Sequence, residues 1–141
     1  MAKLTIGKVA EACDVKIDTL RYYERVGLIE PERRTSSGYR VYHPECIRRV
    51  KFIKKTQGLG FSLEEIRSLL ELRVSDTATA GDVLQATEDK IVEFKHKVIE
   101  LETIRKVLED LAAQCPGTGP VSDCPILDHL YPPQENLRDR K

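Results

Sequence analysis

The longest uninterrupted helical pattern in the chain covers residues 82–114, which contain neither proline nor glycine. Apolar residues recur in it at seven-residue intervals in two sets offset by three, which is the a/d repeat of a coiled coil. A helix of this length extends roughly 50 Å and cannot bury such a stripe against itself. The pattern therefore predicts a homodimer. Its seam is expected to consist of Leu84, Ile91, Phe94, Val98, Leu101 and Leu108.

The charge of the chain is divided unevenly, although the net charge is zero. Residues 1–58 hold 13 Lys/Arg against 7 Asp/Glu, whereas residues 59–141 hold 10 against 16. A basic half suits a polyanion such as DNA, and an acidic half rich in aliphatic residues suits a solvated helix that pairs with another protein chain. Charge asymmetry also arises by chance on solvated surfaces, so charge alone leaves both interpretations open.

Length and hydropathy limit the class of protein. A chain of 141 residues can build one domain, or a small domain with an appended helix, but not two full cores. Its apolar runs are too short to cross a bilayer, and residues 1–5 do not begin a signal-peptide pattern. We therefore expect a cytoplasmic protein with no membrane segment. No glycine-rich phosphate loop or nucleophile–base pair is evident, so we do not expect an enzyme.

The N-terminal half predicts a winged helix-turn-helix head. Thr5 is placed to cap a first helix, and a second amphipathic stretch follows a turn at Asp14-Val15 and ends at Gly27. Two short helices joined by a turn are typical of a helix-turn-helix, and short extended runs around a Ser-Ser-Gly turn within residues 28–42 indicate a β-hairpin wing.

Two further helices complete the predicted head. Pro44 opens the third, and the capping box from Ser62 to Glu65 opens the fourth. The expected segments are the DNA-binding head over 1–73, a connector over 74–81, the dimerisation helix over 82–114, a loop with a short helix over 115–130, and a flexible tail over 131–141.

Basic and aromatic residues cluster on the predicted second helix, the wing and the third helix. Guanidinium and phenol groups donate to phosphate oxygens, and arginine also reads guanine edges in the major groove. Of the adjacent Tyr22 and Tyr23, we expect one to face the core and one to face DNA, in either order. The expected DNA-contacting residues are Lys16, Thr19, Arg21, Tyr22, Arg34, Tyr39, Arg40, Tyr42 and Lys54.

Cys115 and Cys124 lie in a turn-rich loop after the long helix. Thiolates are soft ligands for ions such as Cu(I), Hg(II) and Zn(II), and a loop of this composition can close on one ion. His129 is the nearest further donor, and His96 on the long helix is a poorer one. Two alternatives stay open, namely a redox switch that uses the same cysteine pair and an architectural DNA binder without an effector. Cys13 and Cys46 fall on helical positions of the head and are expected to be packing residues.

Three motifs resemble the N-terminal signature of the MerR family of transcriptional regulators. They are Thr19-Leu-Arg-Tyr-Tyr-Glu24, Arg34-Thr-Ser-Ser-Gly-Tyr-Arg-Val-Tyr42, and the segment from Phe52 to Ile66. The resemblance implies a mainly α fold with a winged helix-turn-helix head, an antiparallel coiled-coil dimer and a C-terminal metal-binding loop. It further implies a homodimer that binds a palindromic operator in promoter DNA and, when loaded with its effector, distorts that DNA so that RNA polymerase can engage it.

The same resemblance also indicates which metal ion the loop is expected to bind. Divalent-metal branches of the family carry a third cysteine near the start of the dimerisation helix, where this chain has Thr79 to Asp82. The zinc branch carries further ligands where this chain has Gln114 and Gly119. The Cys-Pro-Gly and Asp-Cys-Pro-Ile phrases resemble the copper-efflux branch, whereas the eight-residue spacing matches the mercury, lead and zinc branches. Two-coordinate Cu(I), Ag(I) or Au(I) is therefore the favoured expectation, with Zn(II) or Hg(II) as the alternative.

Overall fold

A computed structural model describes residues 3–134 of the chain. The fold is mainly helical, as predicted, and a two-stranded hairpin separates the first two helices from the remaining ones. The helices are α1 Ile6–Cys13, α2 Ile17–Arg25, α3 Glu45–Gly58, α4 Leu63–Val74, α5 Ala80–Gln114 and α6 Pro125–Leu130, and the strands are β1 Arg33–Arg34 and β2 Arg40–Val41. The chain divides into two compact units, one up to Lys90 and the other from Ile91 onward.

The first unit holds the core of the head. Apolar residues at three- and four-residue intervals give α1 to α4 one buried stripe each, because such spacing places them on a single helical face. Among the most deeply buried of these residues are Val9, Leu20, Leu28, Val50, Ile53 and Ile66. Burial of side chains of this size stabilises a fold by about 1.5–3 kcal/mol each.

Local caps determine where the first two helices begin and end. The Thr5 hydroxyl accepts a hydrogen bond from the Lys8 N–H at 3.3 Å, as the sequence predicts, and Asp14 ends α1 in the left-handed region at φ 52°. Lys16 occupies the N-cap position of α2 without a side-chain hydrogen bond. A lysine has no acceptor to offer to the first helical N–H groups, so α2 begins without the side-chain cap that α1 has.

The hairpin forms the predicted wing. Arg33 pairs with Val41 and Arg34 with Arg40 in an antiparallel register. The turn between the strands needs Gly38, whose φ of +87° is unfavourable for other residues. The Tyr42 N–H donates to the Leu4 carbonyl at 2.8 Å, so the base of the wing is tied to the chain just before α1.

The helix α5 begins two residues earlier than the sequence predicts. Thr79 precedes its first residue, and the backbone N–H of Thr79 donates to the Asp82 carboxylate at 2.9 Å. An acid in the first turn of a helix satisfies an N-terminal donor and complements the helix dipole, which accounts for the earlier start.

The second unit contains the rest of α5, a 3-10 turn over Val121–Asp123, and α6. The predicted flexible tail over 131–141 lies outside the described residues from position 135 onward. Within residues 3–134, no helix combines the length and apolarity that a membrane span requires.

Candidate nucleic-acid interface and thiol loop

The helix α2 is strongly two-sided. Leu20 and Tyr23 are buried, whereas Arg21, Tyr22 and Arg25 are exposed. Thr19 is half-buried, and Lys16 is exposed just before the helix. The exposed face of α2 therefore carries Arg21 and Tyr22, and Lys16 precedes it at the N-cap position; the sequence assigns all three to DNA contact.

The two adjacent tyrosines divide as predicted. Tyr23 is buried, and its hydroxyl donates to the side-chain oxygen of Gln57 at 2.5 Å. Burial raises the pKa of Tyr23. Tyr22 is 43% exposed, and the guanidinium of Arg25 lies 5.5 Å from its ring centroid. Tyr23 is thus the tyrosine that faces the core, and Tyr22 is the one available to a ligand.

The wing and α2 share one open groove of about 350 Å³. Its lining includes four residues that the sequence assigns to DNA contact, which are Arg21, Arg34, Tyr39 and Arg40. Tyr39 is the most exposed of the tyrosines in the head, at 72%, and the Thr35 hydroxyl accepts a hydrogen bond from its N–H. Three guanidinium groups and a phenol around one groove form a site suited to phosphate oxygens.

Tyr42 does not belong to the DNA-contacting residues, although the sequence predicts that it does. It is only 2% exposed, and its hydroxyl donates to Glu24 Oε1 at 2.9 Å. Burial first, and then the hydrogen bond to Glu24, raises the pKa of Tyr42 to about 12. A side chain enclosed in this way cannot reach a DNA backbone. Tyr42 therefore belongs to the core of the head.

Lys54 has a structural contact that the sequence did not indicate. Its ammonium donates to the carbonyls of Cys13 at 3.3 Å and Asp14 at 2.9 Å. These carbonyls lie at the C-terminal end of α1, where a cation satisfies orphan acceptors and complements the helix dipole. The side chain of Lys54 is still 48% exposed. Its contact with DNA therefore stays a prediction.

The four cysteines occupy two different environments. Cys13 and Cys46 are buried in the head core, in agreement with the packing role predicted for them. Burial raises the pKa of both thiols, and that of Cys46 reaches about 11. Thiols held in the protonated form by burial are poor metal ligands and poor nucleophiles.

Cys115 and Cys124 are both partly exposed. Cys115 follows the last residue of α5, and its N–H still donates to the Ala112 carbonyl. Cys124 is the N-cap residue of α6. The loop that joins them contains Gly117 and Gly119, both at positive φ. Across residues 3–134, no cluster of three or more His, Cys, Asp or Glu side chains is preassembled for a metal ion.

Comparison with known proteins defines the family. Residues 4–72 match the MerR HTH family of regulatory proteins, and residues 47–111 match its DNA-binding region. The mercuric resistance operon regulatory protein of Bacillus cereus is 41% identical to this chain over 128 residues, which cover 91% of the chain and 97% of that protein. The chain belongs to the MerR family. It is therefore a DNA-binding transcriptional regulator, as the sequence predicts, and not an enzyme.

Two solved structures of MerR-type regulators are similar along nearly their whole length. The regulator PbrR691 from Ralstonia metallidurans, in complex with lead(II), has a TM-score of 0.80 at 30% identity and covers 91% of this chain and 99% of its own. The MerR regulator of Bacillus megaterium, in complex with mercury(II), has a TM-score of 0.67 at 37% identity. It covers 92% of this chain and 100% of its own.

Proposed function

We propose that this MerR-family protein is a homodimeric, metal-responsive activator that binds a palindromic promoter operator and uses Cys115 and Cys124 to bind a thiophilic ion. The favoured ions are Cu(I), Ag(I) and Au(I). The observation that carries the proposal is the contrast between the two pairs of thiols. One pair is enclosed in the head core, and the other is partly exposed at the two ends of a single loop.

The head supplies the DNA-binding part of this function. Arg21 on α2 and Arg34, Tyr39 and Arg40 on the wing line one groove. Lys16, Thr19, Tyr22 and Lys54 complete the proposed contact set. Contacts of this kind fix the register of a protein on a duplex, and MerR-type activation by DNA distortion adds specificity through the deformability of the operator. RNA polymerase at the promoter is the further partner.

The dimer follows from the exposed surface of α5. The six predicted seam residues, Leu84, Ile91, Phe94, Val98, Leu101 and Leu108, are all exposed in the single chain. Large apolar side chains repeated along one helix are unfavourable in water unless a second helix covers them. A second copy of α5, antiparallel to the first, would bury the seam.

The donor set fits a soft ion. The loop provides two thiols, whereas the segment in which divalent-metal branches carry a third cysteine is Thr79 to Asp82 here. That segment opens α5, where the Asp82 carboxylate accepts a hydrogen bond from the Thr79 N–H. Two thiolates without a third strong donor suit monovalent d10 ions. When bound, the ion would connect the two ends of the loop. The geometry of the metal site would then be coupled to the C-terminal end of α5.

A divalent ion is the second candidate, and two specific observations favour it. The B. cereus relative is named for mercuric resistance, and the loop spacing matches the mercury, lead and zinc branches. His129, at the C-terminal turn of α6, would be the third donor. A disulfide between Cys115 and Cys124 remains the redox alternative.

The test is a competitive titration of the reduced dimer with Cu(I), Ag(I), Hg(II) and Zn(II), followed by X-ray absorption on the tightest complex. We expect Cu(I) or Ag(I) bound by two sulfur atoms, with Zn(II) bound much more weakly. Tight Zn(II) or Hg(II) with three or four ligands would establish the divalent alternative.

Two sets of variants assign the ligands. Cys115→Ser with Cys124→Ser should abolish metal binding, because serine oxygen is a hard donor, whereas Cys13→Ala with Cys46→Ala should retain it. Loss of binding in the second variant while the first still binds would overturn the assignment. If promoter output follows oxidation of the cysteine pair and no ion binds under reducing conditions, the redox alternative is correct.

A further inference from the structure

A carboxylate stands among the arginines of the proposed DNA interface. A groove of about 400 Å³ beside α2 is lined by Arg21, Glu24, Arg25, Pro31, Arg34 and Arg40. An acid at this place repels phosphate and so opposes the electrostatic attraction that the four arginines provide. A carboxylate at this position therefore needs a role that offsets its repulsion of phosphate.

Glu24 connects α2 to both ends of the second wing strand. Its Oε2 atom lies 2.7 Å from Arg40 Nη1, and its Oε1 atom accepts the Tyr42 hydroxyl at 2.9 Å. Arg40 is the first residue of β2, and Tyr42 directly follows the last. The Glu24 side chain is only 15% exposed, which strengthens the ion pair relative to one at the surface. Both carboxylate oxygens therefore hold the wing.

We propose that Glu24 is a positioning residue for operator recognition, because it fixes Arg40 and the wing at a set position beside the recognition helix. The inference rests on the proposed DNA contact through Arg40. A guanidinium has five N–H donors, so an arginine paired through one nitrogen still has others for phosphate. Glu24 thus lowers general attraction to DNA and raises the geometric selectivity of the wing.

The test compares Glu24→Gln with the native full-length dimer. Glutamine has one acceptor oxygen where glutamate has two, so the contacts with Arg40 and Tyr42 cannot both persist as they are. The probes are a duplex that the native protein selects from a randomised library and a duplex of scrambled sequence. We expect affinity for the selected duplex to fall about tenfold, as for loss of one charge-assisted hydrogen bond. Affinity for the scrambled duplex should stay equal or increase.

Glu30→Gln is the matched control for charge. Glu30 is exposed between α2 and the wing, and within residues 3–134 its carboxylate has no hydrogen bond or ion pair. Its substitution removes one acid from the segment that joins α2 to the wing, without releasing Arg40. We expect it to change both affinities by the same small factor, so that selectivity is retained.

A double-substitution cycle shows whether Glu24 acts through Arg40. In an Arg40→Gln background, Glu24→Gln should no longer reduce affinity for the selected duplex by more than about twofold. The proposal would be overturned if Glu24→Gln reduced affinity equally for selected and scrambled DNA. It would also be overturned if Glu24→Gln reduced affinity for the selected duplex as much in the Arg40→Gln background as in native protein. Either result would mean that Glu24 only supports the fold. If native protein selects no duplex at all, the proposed function fails instead, which is a distinct outcome.

Discussion

Two tyrosines of the head differ in exposure and therefore in the effects expected from losing a hydroxyl. Tyr42→Phe removes the hydrogen bond to Glu24 from a nearly enclosed site. We expect the free energy of unfolding to fall by about 1 kcal/mol, measured by urea denaturation. Tyr22→Phe removes an exposed hydroxyl and should leave that free energy unchanged within roughly 0.5 kcal/mol.

DNA binding provides the complementary measurement for the same pair. Tyr22→Phe should weaken binding to the selected duplex because the phenol faces the proposed interface. An unchanged stability for Tyr42→Phe would show that its hydroxyl contributes nothing to the fold. A loss of stability for Tyr22→Phe would show that Tyr22 is a core residue.

At the residue scale, the sequence predicts local features better than it predicts contacts between distant residues. Tyr42 ends the predicted wing and is expected from the sequence to contact DNA, yet it is buried and its hydroxyl donates to Glu24, which lies 18 positions earlier in the chain. The charge of Lys54 indicates a DNA contact, but its hydrogen bonds join it to Cys13 and Asp14, which lie about forty positions earlier in the chain. Long-range contacts of this kind leave no local signal in the sequence.

Among the helices, those with a local cap were predicted most closely. Thr5 and the Ser62 capping box are recognisable from a few adjacent residues, and both are present. Lys90 is different, because a periodicity argument treats lysine as a solvent-facing residue. It is 6% exposed, with its ammonium 2.8 Å from Glu65 Oε1 and 5.2 Å from the Phe61 ring centroid. The N-terminal third of α5 is thereby joined to the cap of α4.

The contact between Lys90 and Glu65 gives the stability of the head a defined pH dependence. The hydrogen bond from Lys90 first, and then that from the Ser62 N–H, lowers the pKa of Glu65 from 4.5 to about 2. The folded value lies below the unfolded one, so this contribution is fully present above pH 4.5 and is lost as the pH falls toward 2. The difference in unfolding free energy between native protein and Glu65→Gln should therefore narrow over that range.

Glu64→Gln is the control for this pH series. Glu64 also lies in the first turn of α4, so its substitution changes the interaction with the helix dipole in a similar way. It does not remove the contact with Lys90. We expect a smaller difference from native protein. An equal pH dependence in the two variants would contradict the assignment to the Lys90 contact.

At the scale of the whole molecule, we expect dimerisation to depend on the proposed apolar seam of α5. Leu101 is 65% exposed and lies on the predicted seam, whereas Thr103 lies outside it and bonds its hydroxyl to the Ile99 carbonyl. Leu101→Glu would place two carboxylates in or near an apolar interface, where desolvation and like-charge repulsion oppose association. Sedimentation should then show a shift from dimer toward monomer.

Thr103→Glu adds the same charge to the same helix without entering the seam, so it should sediment as native protein does. A palindromic operator requires two heads, and linkage between them raises affinity well beyond that of one head. Leu101→Glu should therefore also lose binding to the selected duplex while Thr103→Glu retains it. A Leu101→Glu protein that stays dimeric would show that α5 associates through its other apolar stripe, which includes Val92, Ile99 and Ile104.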